Sequence, residues 1–537
     1  MNGSTKPGGL PSPPGRSLVF RAAGLVGALA LLSRVAGLLR EIVVRNYLGV
    51  TTVEATAFDI AGRLPETIFL IVAGGAIGSA FIPTYASYLA RDDENGGWQL
   101  FSAVINLLTI VTTILAILGM IFAAPFVTFF YGENIAQTPE LLPLTVLLMR
   151  IMLLSPIIFG ISGVIMAALN ARQHFLLPAL APTVYNLGII AGGVAGAVFG
   201  DGDPTTIALG LAWGTVAGAV GHLLIQLPGL RAQHARYTPV VTVRDPGVQK
   251  VARLMAPRVL GLSFSEINKF IILFLTGTMT LGTLPALNAA FRILIMPQGI
   301  LGQALGIAAF PTLAALAVRS AITEMRGIFS DSLRIVLFLG LPATVLLILL
   351  AEPYTAVLFE RGLFDAEATR LVSAALRFYA VGLLALTAIE VIARTFYALS
   401  DTLTPVLAGG IQIVAMWVLS LWLRDVVFPA RGWLPLGGLA LGFSLSNILE
   451  MGLLLWLLRR KMGGINGRSL LDGLVRMGGA SLVMAAGIIG VLAWLPREAV
   501  WGRALLATAV GGGVYMLAAW VLGVDEWRQF AKLLTRR

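Results

Sequence analysis

Residues 34–38 read RVAGL and residues 258–262 read RVLGL, a separation of 224 positions. A second pair of segments repeats at almost the same distance. GSAFIPTYASYLA at 78–90 and GIAAFPTLAALAV at 306–318 share Gly, Ala, Pro, Thr and Ala in register at an offset of 228. Two matches at nearly one offset indicate that the chain contains two similar halves in the same orientation. Parallel repeats of this kind are one architecture of secondary transporters, whose substrate path lies between the halves.

The composition places both halves in a lipid bilayer. Of the 537 residues, 57% are hydrophobic and only 12% are charged, and the mean hydropathy is +0.88. A soluble domain is far less apolar. A hydrocarbon layer about 30 Å thick takes about 20 apolar residues per helix, so a chain of this length can hold a dozen or more spans. We therefore predict an all-α polytopic membrane protein.

The apolar runs predict about fourteen transmembrane helices, at 18–48, 57–88, 99–125, 141–170, 176–200, 205–228, 250–277, 284–317, 330–351, 369–399, 404–424, 434–458, 470–495 and 503–523. The repeat divides them into two six-helix lobes and two extra C-terminal helices. The predicted domains are a disordered cytoplasmic tail (1–17), an N-lobe (18–230), a cytoplasmic linker (231–249), a C-lobe (250–458) and the last two helices with a cytoplasmic tail (459–537).

The charges of the loops alternate in sign along the chain. The loops on the side of the N-terminus are basic and carry Arg231, Arg236, Arg244, Lys250, Arg253, Arg319, Arg326, Arg459, Arg460, Lys461 and Arg468. The alternate loops are acidic or mixed and carry Glu54, Glu133, Glu140, Asp201, Asp203, Glu352, Asp365 and Glu367. The positive-inside rule then places both termini in the cytoplasm. The net charge of +11 follows from these loops, so membrane lipids are expected as partners and nucleic acid is not.

Several kinds of chemistry have no support in the sequence. The chain has no cysteine and three histidines without an HExxH pattern, so no metal site and no cofactor are expected. A membrane enzyme acting on polyprenyl phosphates is an alternative, since Asp92 and Asp93 in RDDEN could bind Mg²⁺. No second acidic cluster joins them, and a solvated loop is the favoured interpretation. Without a Walker A sequence, ATP is not expected to drive the protein, which we predict is not an enzyme.

Ionisable residues inside the predicted spans are the main functional candidates, because charge inside a membrane is costly. In the first span Arg34, Glu41 and Arg45 lie within about 20° of one line on a helix, whereas Arg40 points about 120° away. Further spans carry Asp59, Arg63, Glu66, Arg258, Glu266, Lys269, Arg292, Arg377, Glu390 and Arg394.

Some of these charges have partners at helical spacing. Glu41 with Arg45, Asp59 with Arg63, and Glu390 with Arg394 are all spaced i, i+4 and could form internal ion pairs. That leaves Arg34, Arg40 and Arg292 as surplus arginines deep in both halves. A guanidinium donates to phosphate oxygens in a bidentate manner, so these arginines predict a cationic cavity for an anionic lipid head group such as a pyrophosphate.

The sequence also resembles the MurJ/MviN family of lipid II flippases, within the multidrug, oligosaccharidyl-lipid and polysaccharide exporter superfamily. The matching stretches are SRVAGLLREIVVRNYLG (33–49), GGAIGSAFIPTYASYLA (74–90), LPALAPTVYN (177–186), APRVLGLSFSEINKFI (256–271), AAFRILIMPQGILGQALGIAAFPTL (289–313), LFERGLFDAEAT (358–369) and FYALSDTLTPV (396–406). They lie in both halves, so the resemblance covers most of the chain.

The resemblance implies two six-helix lobes around a central cavity lined by arginines. It places Arg34 and Arg40 at the family's first-helix arginines, Glu41 at their acidic partner, Arg292 at the eighth-helix arginine and Arg63 at a basic position before an LP step. Asp59 and Arg258 complete our candidate substrate-binding set. The chain departs from the family's pattern at Thr56, where many relatives have aspartate, and at Phe291, where some relatives do. It also departs at residues 67–71 (TIFLI), where some relatives have two arginines.

The resemblance implies transport of lipid II from the inner to the outer leaflet of the bacterial inner membrane by alternating access, with the cell-wall synthesis machinery as a further partner. Two sister functions stay open: a flippase for another polyprenyl-linked saccharide, and a multidrug antiporter. Antiporters typically need a protonatable acid in an apolar lobe, whereas this chain concentrates arginine. A scaffold of the cell-wall machinery is a third possibility, although it would have no use for a costly polar interior.

Overall fold

The computed structural model describes residues 16–72 and 76–527, and every regular element in these ranges is helical. The helices of the first half are α1 (Arg16–Leu48), α2 (Val53–Val72), α3 (Ala76–Leu89), α4 (Glu94–Ile121), α5 (Ala123–Gln137), α6 (Leu141–Met152), α7 (Leu154–Ala171), α8 (Leu176–Phe199), α9 (Pro204–Leu224) and α10 (Leu227–Ala232).

The second half contains α11 (Pro246–Thr276), α12 (Thr283–Gln298), α13 (Ala304–Val318), α14 (Ile322–Leu349), α15 (Ala351–Phe359), α16 (Ala366–Ala380), α17 (Leu383–Ala398), α18 (Leu403–Trp422), α19 (Phe428–Ala430) and α20 (Pro435–Met462). Two helices follow, α21 (Gly467–Trp494) and α22 (Val500–Val521). Short π-helices at Gly299–Gln303 and Leu423–Val427 follow α12 and α18.

The helices confirm the all-α polytopic membrane fold. Within the described residues, eleven helices are long and apolar enough to cross a membrane, or twelve if α16 and α17, bent by 45°, form one span. The two other predicted spans fall on α1, which carries several charges, and on the shorter helices α2 and α3. The count of fourteen therefore stays a prediction. Most of the predicted N-terminal tail and the last ten residues lie outside the described residues.

The order of the helices supports the internal duplication. Each half has one long helix (α1 or α11), a two-part helix (α2–α3 or α12–α13), a long helix (α4 or α14) and a short one (α5 or α15). A second two-part helix (α6–α7 or α16–α17) and two long helices (α8 and α9, or α18 and α20) complete each half. Pro83 and Pro311, which match in the repeat, lie inside the equivalent helices α3 and α13.

Small residues allow the closest helix contact in the first half, between α8 and α9. A Cβ atom added to Gly192 would lie 2.3 Å from the carbonyl oxygen of Gly210, and one added to Gly188 would lie 2.3 Å from Cα of Gly218. Glycine is therefore required for these backbones to approach, as in many membrane helix pairs. The pair packs against α1, mainly through α8.

The two halves meet tightly at one end of the molecule, which we call the sealed face. The loops after α1 and α15 meet there, where the Leu363 amide donates to the Asn46 carbonyl at 2.9 Å. The Gly282 amide donates to the Thr56 hydroxyl at 3.2 Å, and Gly282 has a φ of +90° that favours glycine. Two further hydrogen bonds across this face join Tyr131 to Thr276 and Asn134 to Met279.

Candidate functional site: a charged cavity between the halves

A cavity of about 730 Å³ lies between the two halves, deeper in the molecule than the sealed face. Helices α1, α2, α6, α7, α8 and α9 line it from the first half, and α11, α12, α16 and α20 line it from the second. Its charged lining consists of five basic side chains, Arg40, Arg45, Arg63, Lys269 and Arg292, and three acidic ones, Glu41, Asp59 and Glu66. The cavity therefore carries an excess of positive charge.

Arg45 forms the rigid part of this network. Its side chain is almost fully buried, with 1% of the residue exposed. Nε donates to Glu41 at 2.9 Å, and the terminal nitrogen donates to Asp59 at 2.9 Å. Arg45 is costly to remove, because Glu41 and Asp59 would then be buried without their closest cation. We therefore assign Arg45 and Asp59 a bracing role between α1 and α2.

Asn288 connects this brace to the second half. Its side-chain nitrogen donates to Asp59 at 2.9 Å, and its side-chain oxygen accepts a hydrogen bond of 3.4 Å from Arg63. Because Asn288 lies on α12 and its two partners on α2, the amide joins the halves through both a donor and an acceptor. Because Asn288 is neutral, Asp59 does not depend on it for charge balance and is paired with Arg45.

Two arginines approach Glu41 without forming tight ion pairs. Arg292 Nε lies 3.7 Å from one Glu41 oxygen, and an Arg40 nitrogen lies 3.9 Å from the same oxygen. Both distances exceed those of a normal charge-assisted hydrogen bond. The Arg292 side chain is 40% exposed and that of Arg40 is 18% exposed. These guanidinium groups therefore have donors available to a ligand in the cavity.

A second link between the halves surrounds Glu266 on α11. Lys269 lies 2.8 Å from one of its oxygens, and the Thr67 hydroxyl of α2 donates to the other at 2.9 Å. Lys269 also reaches Glu66 at 3.5 Å. The cavity is thus bordered by one polar link at Asn288 and another at Glu266.

The structure brings together five of the seven predicted site residues. Arg40, Glu41, Asp59, Arg63 and Arg292 all line the cavity.

The other two predicted residues, Arg34 and Arg258, are exposed and lie outside that lining. Arg34 donates to the Gln303 side chain at 2.7 Å. It packs so closely on Gly299 that a Cβ atom there would lie 2.4 Å from the guanidinium. Both arginines lie farther from the sealed face than the cavity does, in the direction of the N-terminal ends of α1 and α11.

The predicted ion pairs form in two of three cases. Glu41 pairs with Arg45, and Glu390 pairs with Arg394 at 3.2 Å. Asp59 bonds instead to Arg45 on the neighbouring helix, and Arg63 lies 3.7 Å from Glu66. The i, i+4 spacing identifies charges on one helix face, but a closer partner across a helix interface takes precedence.

The sequence prediction did not include Asn288, because it considered only charged residues. The spacing did offer a signal, since Asn288 lies four residues before Arg292 and therefore on the same face of α12. Arg45 and Lys269 were recognised as membrane charges but not as site residues. Phe291, at one of the departures from the family pattern, also lines the cavity, and its ring lies 5.6 Å from that of Tyr379.

The acidic loop RDDEN has a local structural role. Asp93 caps α4, and its carboxylate accepts a hydrogen bond from the Gly96 amide at 2.8 Å. Such caps satisfy amide groups that a helix leaves free at its start. Across residues 16–72 and 76–527, no group of three or more His, Asp or Glu side chains is arranged to hold a metal ion.

Comparison with known proteins agrees with this geometry. The family model "Lipid II flippase MurJ" matches residues 44–509. The lipid II flippase MurJ of Burkholderia cenocepacia is 31% identical over 490 residues, which cover 90% of this chain and 91% of that protein. The probable lipid II flippase MurJ of Vibrio cholerae is 30% identical over 524 residues, covering 94% and 96%.

Solved structures give the same fold. A lipid II flippase MurJ in an inward closed conformation superposes with a TM-score of 0.76 at 22% identity, covering 93% of this chain and 99% of that one. An inward-facing multidrug resistance MATE family transporter of the MOP superfamily gives 0.67 at 15% identity, covering 82% and 98%. These likenesses show the fold alone, whereas the sequence matches extend over nearly the whole chain and show that it belongs to the lipid II flippase MurJ family.

Proposed function

We propose that this protein carries lipid II, the undecaprenyl-pyrophosphate-linked peptidoglycan precursor, from the inner to the outer leaflet of the cytoplasmic membrane. The observation that carries the proposal is the cavity between the halves, where Arg40 and Arg292 both approach one oxygen of Glu41 without forming a tight ion pair. The named relatives support lipid II as the substrate. The geometry explains how an anionic head group could be held between two movable halves.

The pyrophosphate would bind by replacing Glu41 as the partner of both arginines. Its oxygens can accept paired hydrogen bonds from each guanidinium, which a single carboxylate at 3.7 and 3.9 Å does not provide. Arg63 adds a third cation, while Asp59 and Glu41 stay paired with Arg45. Because one arginine belongs to each half, the bound head group would draw the halves together around it.

The two arginines outside the cavity have a different place in this proposal. Arg34 and Arg258 occupy matching positions of the repeat, on α1 and α11, and both are exposed. They lie on the side away from the sealed face, where a head group would arrive from the cytoplasmic leaflet. We propose that they contact the substrate on its way to Arg40 and Arg292, and that Arg34 leaves Gln303 when it does so.

Transport then requires the sealed face to open. The contacts of Asn46 with Leu363 and of Thr56 with Gly282 would break, while the halves close on the other side. Alternating access by rigid halves around a central site fits the parallel repeat. The positive excess in the cavity favours an anionic substrate over the cationic drugs of many antiporters, because a like charge would be repelled.

The proposed orientation has both termini and the 228–253 loop on the cytoplasmic side, with the 125–141 and 351–369 loops and the sealed face outside. The absence of cysteine makes this testable without background labelling. In intact cells an impermeant thiol reagent should label Asp201→Cys and spare Gln233→Cys. The opposite labelling pattern would show that the orientation is inverted.

The function is tested by replacing a host's essential lipid II flippase with variants of this chain. Arg40→Ala and Arg292→Ala should each weaken binding roughly ten- to a hundredfold, since a hydrogen bond to a charged group contributes about 1.5–3 kcal/mol. Lysine should rescue only in part, because it keeps the charge but loses the planar fork. Arg431→Ala, in an exposed loop outside the cavity, is the matched control. Normal growth of an Arg40→Ala, Arg292→Ala double variant at wild-type abundance would exclude the proposal.

A further inference from the structure

The linker segment, residues 235–245 between α10 and α11, follows the surface of a membrane helix. It contains no helix or strand. The Thr238 amide donates to the Ser102 hydroxyl of α4 at 3.1 Å. The Val240 carbonyl accepts a hydrogen bond of 2.9 Å from the Asn106 side chain, also on α4. The linker backbone is therefore attached at two points along the side of α4, Ser102 and Asn106. Two side-chain hydrogen bonds add to these, from Arg236 to Asn95 at 3.0 Å and from the Tyr237 hydroxyl to Asn106 at 2.8 Å.

Those two points lie deep relative to the end of α4. Its 28 residues are about 42 Å long, which matches the full bilayer of about 40–45 Å including head groups. Ser102 and Asn106 lie about 12 and 18 Å from the start of the helix. The head-group layer occupies only about 5–8 Å on each side. Ile110, one turn beyond Asn106, is 43% exposed, so the linker crosses a face of α4 that becomes lipid-exposed.

The outer surface of the linker segment is apolar. Tyr237 is 60% exposed, Val240 37%, Val241 59% and Val243 65%. An extended backbone in hydrocarbon must have its polar groups satisfied by protein. The hydrogen bonds from α4 provide this for part of the segment, and they explain why an asparagine occurs in an otherwise apolar span.

Basic residues flank this apolar surface. Five of them are exposed: Arg231, Arg236, Arg244, Lys250 and Arg253. The acidic residue of the segment, Asp245, is engaged as the cap of α11 and accepts from the amides of Gly247 and Val248. An apolar surface with adjacent basic residues is the combination that binds anionic membrane surfaces.

We propose that the linker segment inserts into the adjacent leaflet, with its valines among the acyl chains and its basic residues on anionic lipid head groups. The partner is thus an anionic lipid surface. This refines the expectation that residues 231–249 form a linker in water. The proposal rests on the contacts with α4 and not on which substrate the protein carries, so the two proposals can fail separately.

Depth-dependent fluorescence quenching tests the insertion. A single cysteine at Val241 would be labelled with a bimane fluorophore, and the full chain would be reconstituted into vesicles of phosphatidylcholine and phosphatidylglycerol containing brominated acyl chains. Ile114→Cys, exposed on α4 at 51%, serves as the lipid-facing control. Asp92→Cys, in an exposed loop, serves as the aqueous control. The probe at Val241 should be quenched by the brominated lipid as Ile114→Cys is. Quenching by aqueous iodide alone, as for Asp92→Cys, would overturn the proposal.

The role of anionic lipid is tested in the same assay. Arg244→Gln with Lys250→Gln should lower the ratio of inserted to free linker roughly fivefold for each charge removed, since each contributes about 1 kcal/mol near such a surface. Arg497→Gln, in an exposed loop after α21, is the matched control. Val241→Cys could be quenched equally in the otherwise unchanged chain, in the double variant and in the Arg497→Gln control, or equally in vesicles without phosphatidylglycerol. Either result would refute the contribution of anionic head groups.

Discussion

Arg292 lies 3.7 Å from Glu41 although the two residues belong to opposite halves of the chain. The same Glu41 oxygen is 3.9 Å from Arg40, while the other oxygen is bonded to Arg45 at 2.9 Å. One carboxylate therefore competes with any anionic ligand for the two available arginines. Glu41 would offset the repulsion between Arg40 and Arg292 in the empty cavity and would pair with them again when the substrate leaves.

Glu41→Gln should therefore bind substrate more tightly and transport it more slowly. The amide has no charge to compete for Arg40 and Arg292, so affinity for undecaprenyl pyrophosphate should rise about tenfold, the effect of losing one charged partner. Arg45 keeps Asp59, so the fold should persist. Binding to purified protein and flipping in proteoliposomes would be measured together. Glu367→Gln, which removes an exposed ion pair with Arg370, is the control, and the same affinity in both variants would refute the competition.

Arg45→Leu should destabilise the protein strongly. The variant leaves Glu41 and Asp59 buried without their closest cation, and removing one member of a buried ion pair costs about 3–5 kcal/mol. We expect a clear drop in the unfolding temperature and in the amount of protein in the membrane. Arg370→Leu breaks only an exposed pair with Glu367 and should lower the unfolding temperature far less, because water screens exposed ion pairs. Similar unfolding temperatures for the two variants would contradict the bracing role of Arg45.

The sequence predicted most of the fold because each apolar run is long enough to span a bilayer and each half repeats the same order. The site was harder to predict. Charges such as Arg292 stand out in apolar runs, but a neutral bridge such as Asn288 does not. The helical wheel placed Arg34 in line with Glu41, yet Arg34 lies outside the cavity. Helix geometry shows which residues share a face, whereas the extent of the cavity depends on neighbouring helices.

A disulfide across the sealed face should stop transport. The hydrogen bond between the Leu363 amide and the Asn46 carbonyl at 2.9 Å brings these backbones within the distance that a disulfide spans. Asn46→Cys with Leu363→Cys should therefore crosslink on oxidation, hold the sealed face shut and abolish flipping in proteoliposomes, with recovery after reduction.

The matched control for this crosslink is Thr112→Cys with Gly160→Cys. These positions join α4 and α7 inside the first half, where a Cβ atom on Gly160 would lie 3.1 Å from the Thr112 hydroxyl. Because rigid halves can move with that bond in place, the oxidised control should still transport. Full transport by completely crosslinked Asn46→Cys, Leu363→Cys protein would exclude opening of the sealed face.

Thr67→Val should shift the protein away from the conformation described here. The Thr67 hydroxyl donates to Glu266 across the two halves at 2.9 Å, and both residues are buried. Valine keeps nearly the same shape and removes only the donor. A hydrogen bond to a charged group contributes about 1.5–3 kcal/mol, so the ratio of this conformation to those with separated halves should fall roughly ten- to a hundredfold.

Val50→Cys, at a fully buried position beside Gly282, reports the change through its alkylation rate from the outer side. Thr145→Val is the control, because Thr145 bonds to Leu141 of its own helix and its loss should leave that rate unchanged. If alkylation is no faster with Thr67→Val than with Thr145→Val, the hydrogen bond to Glu266 does not hold the halves together.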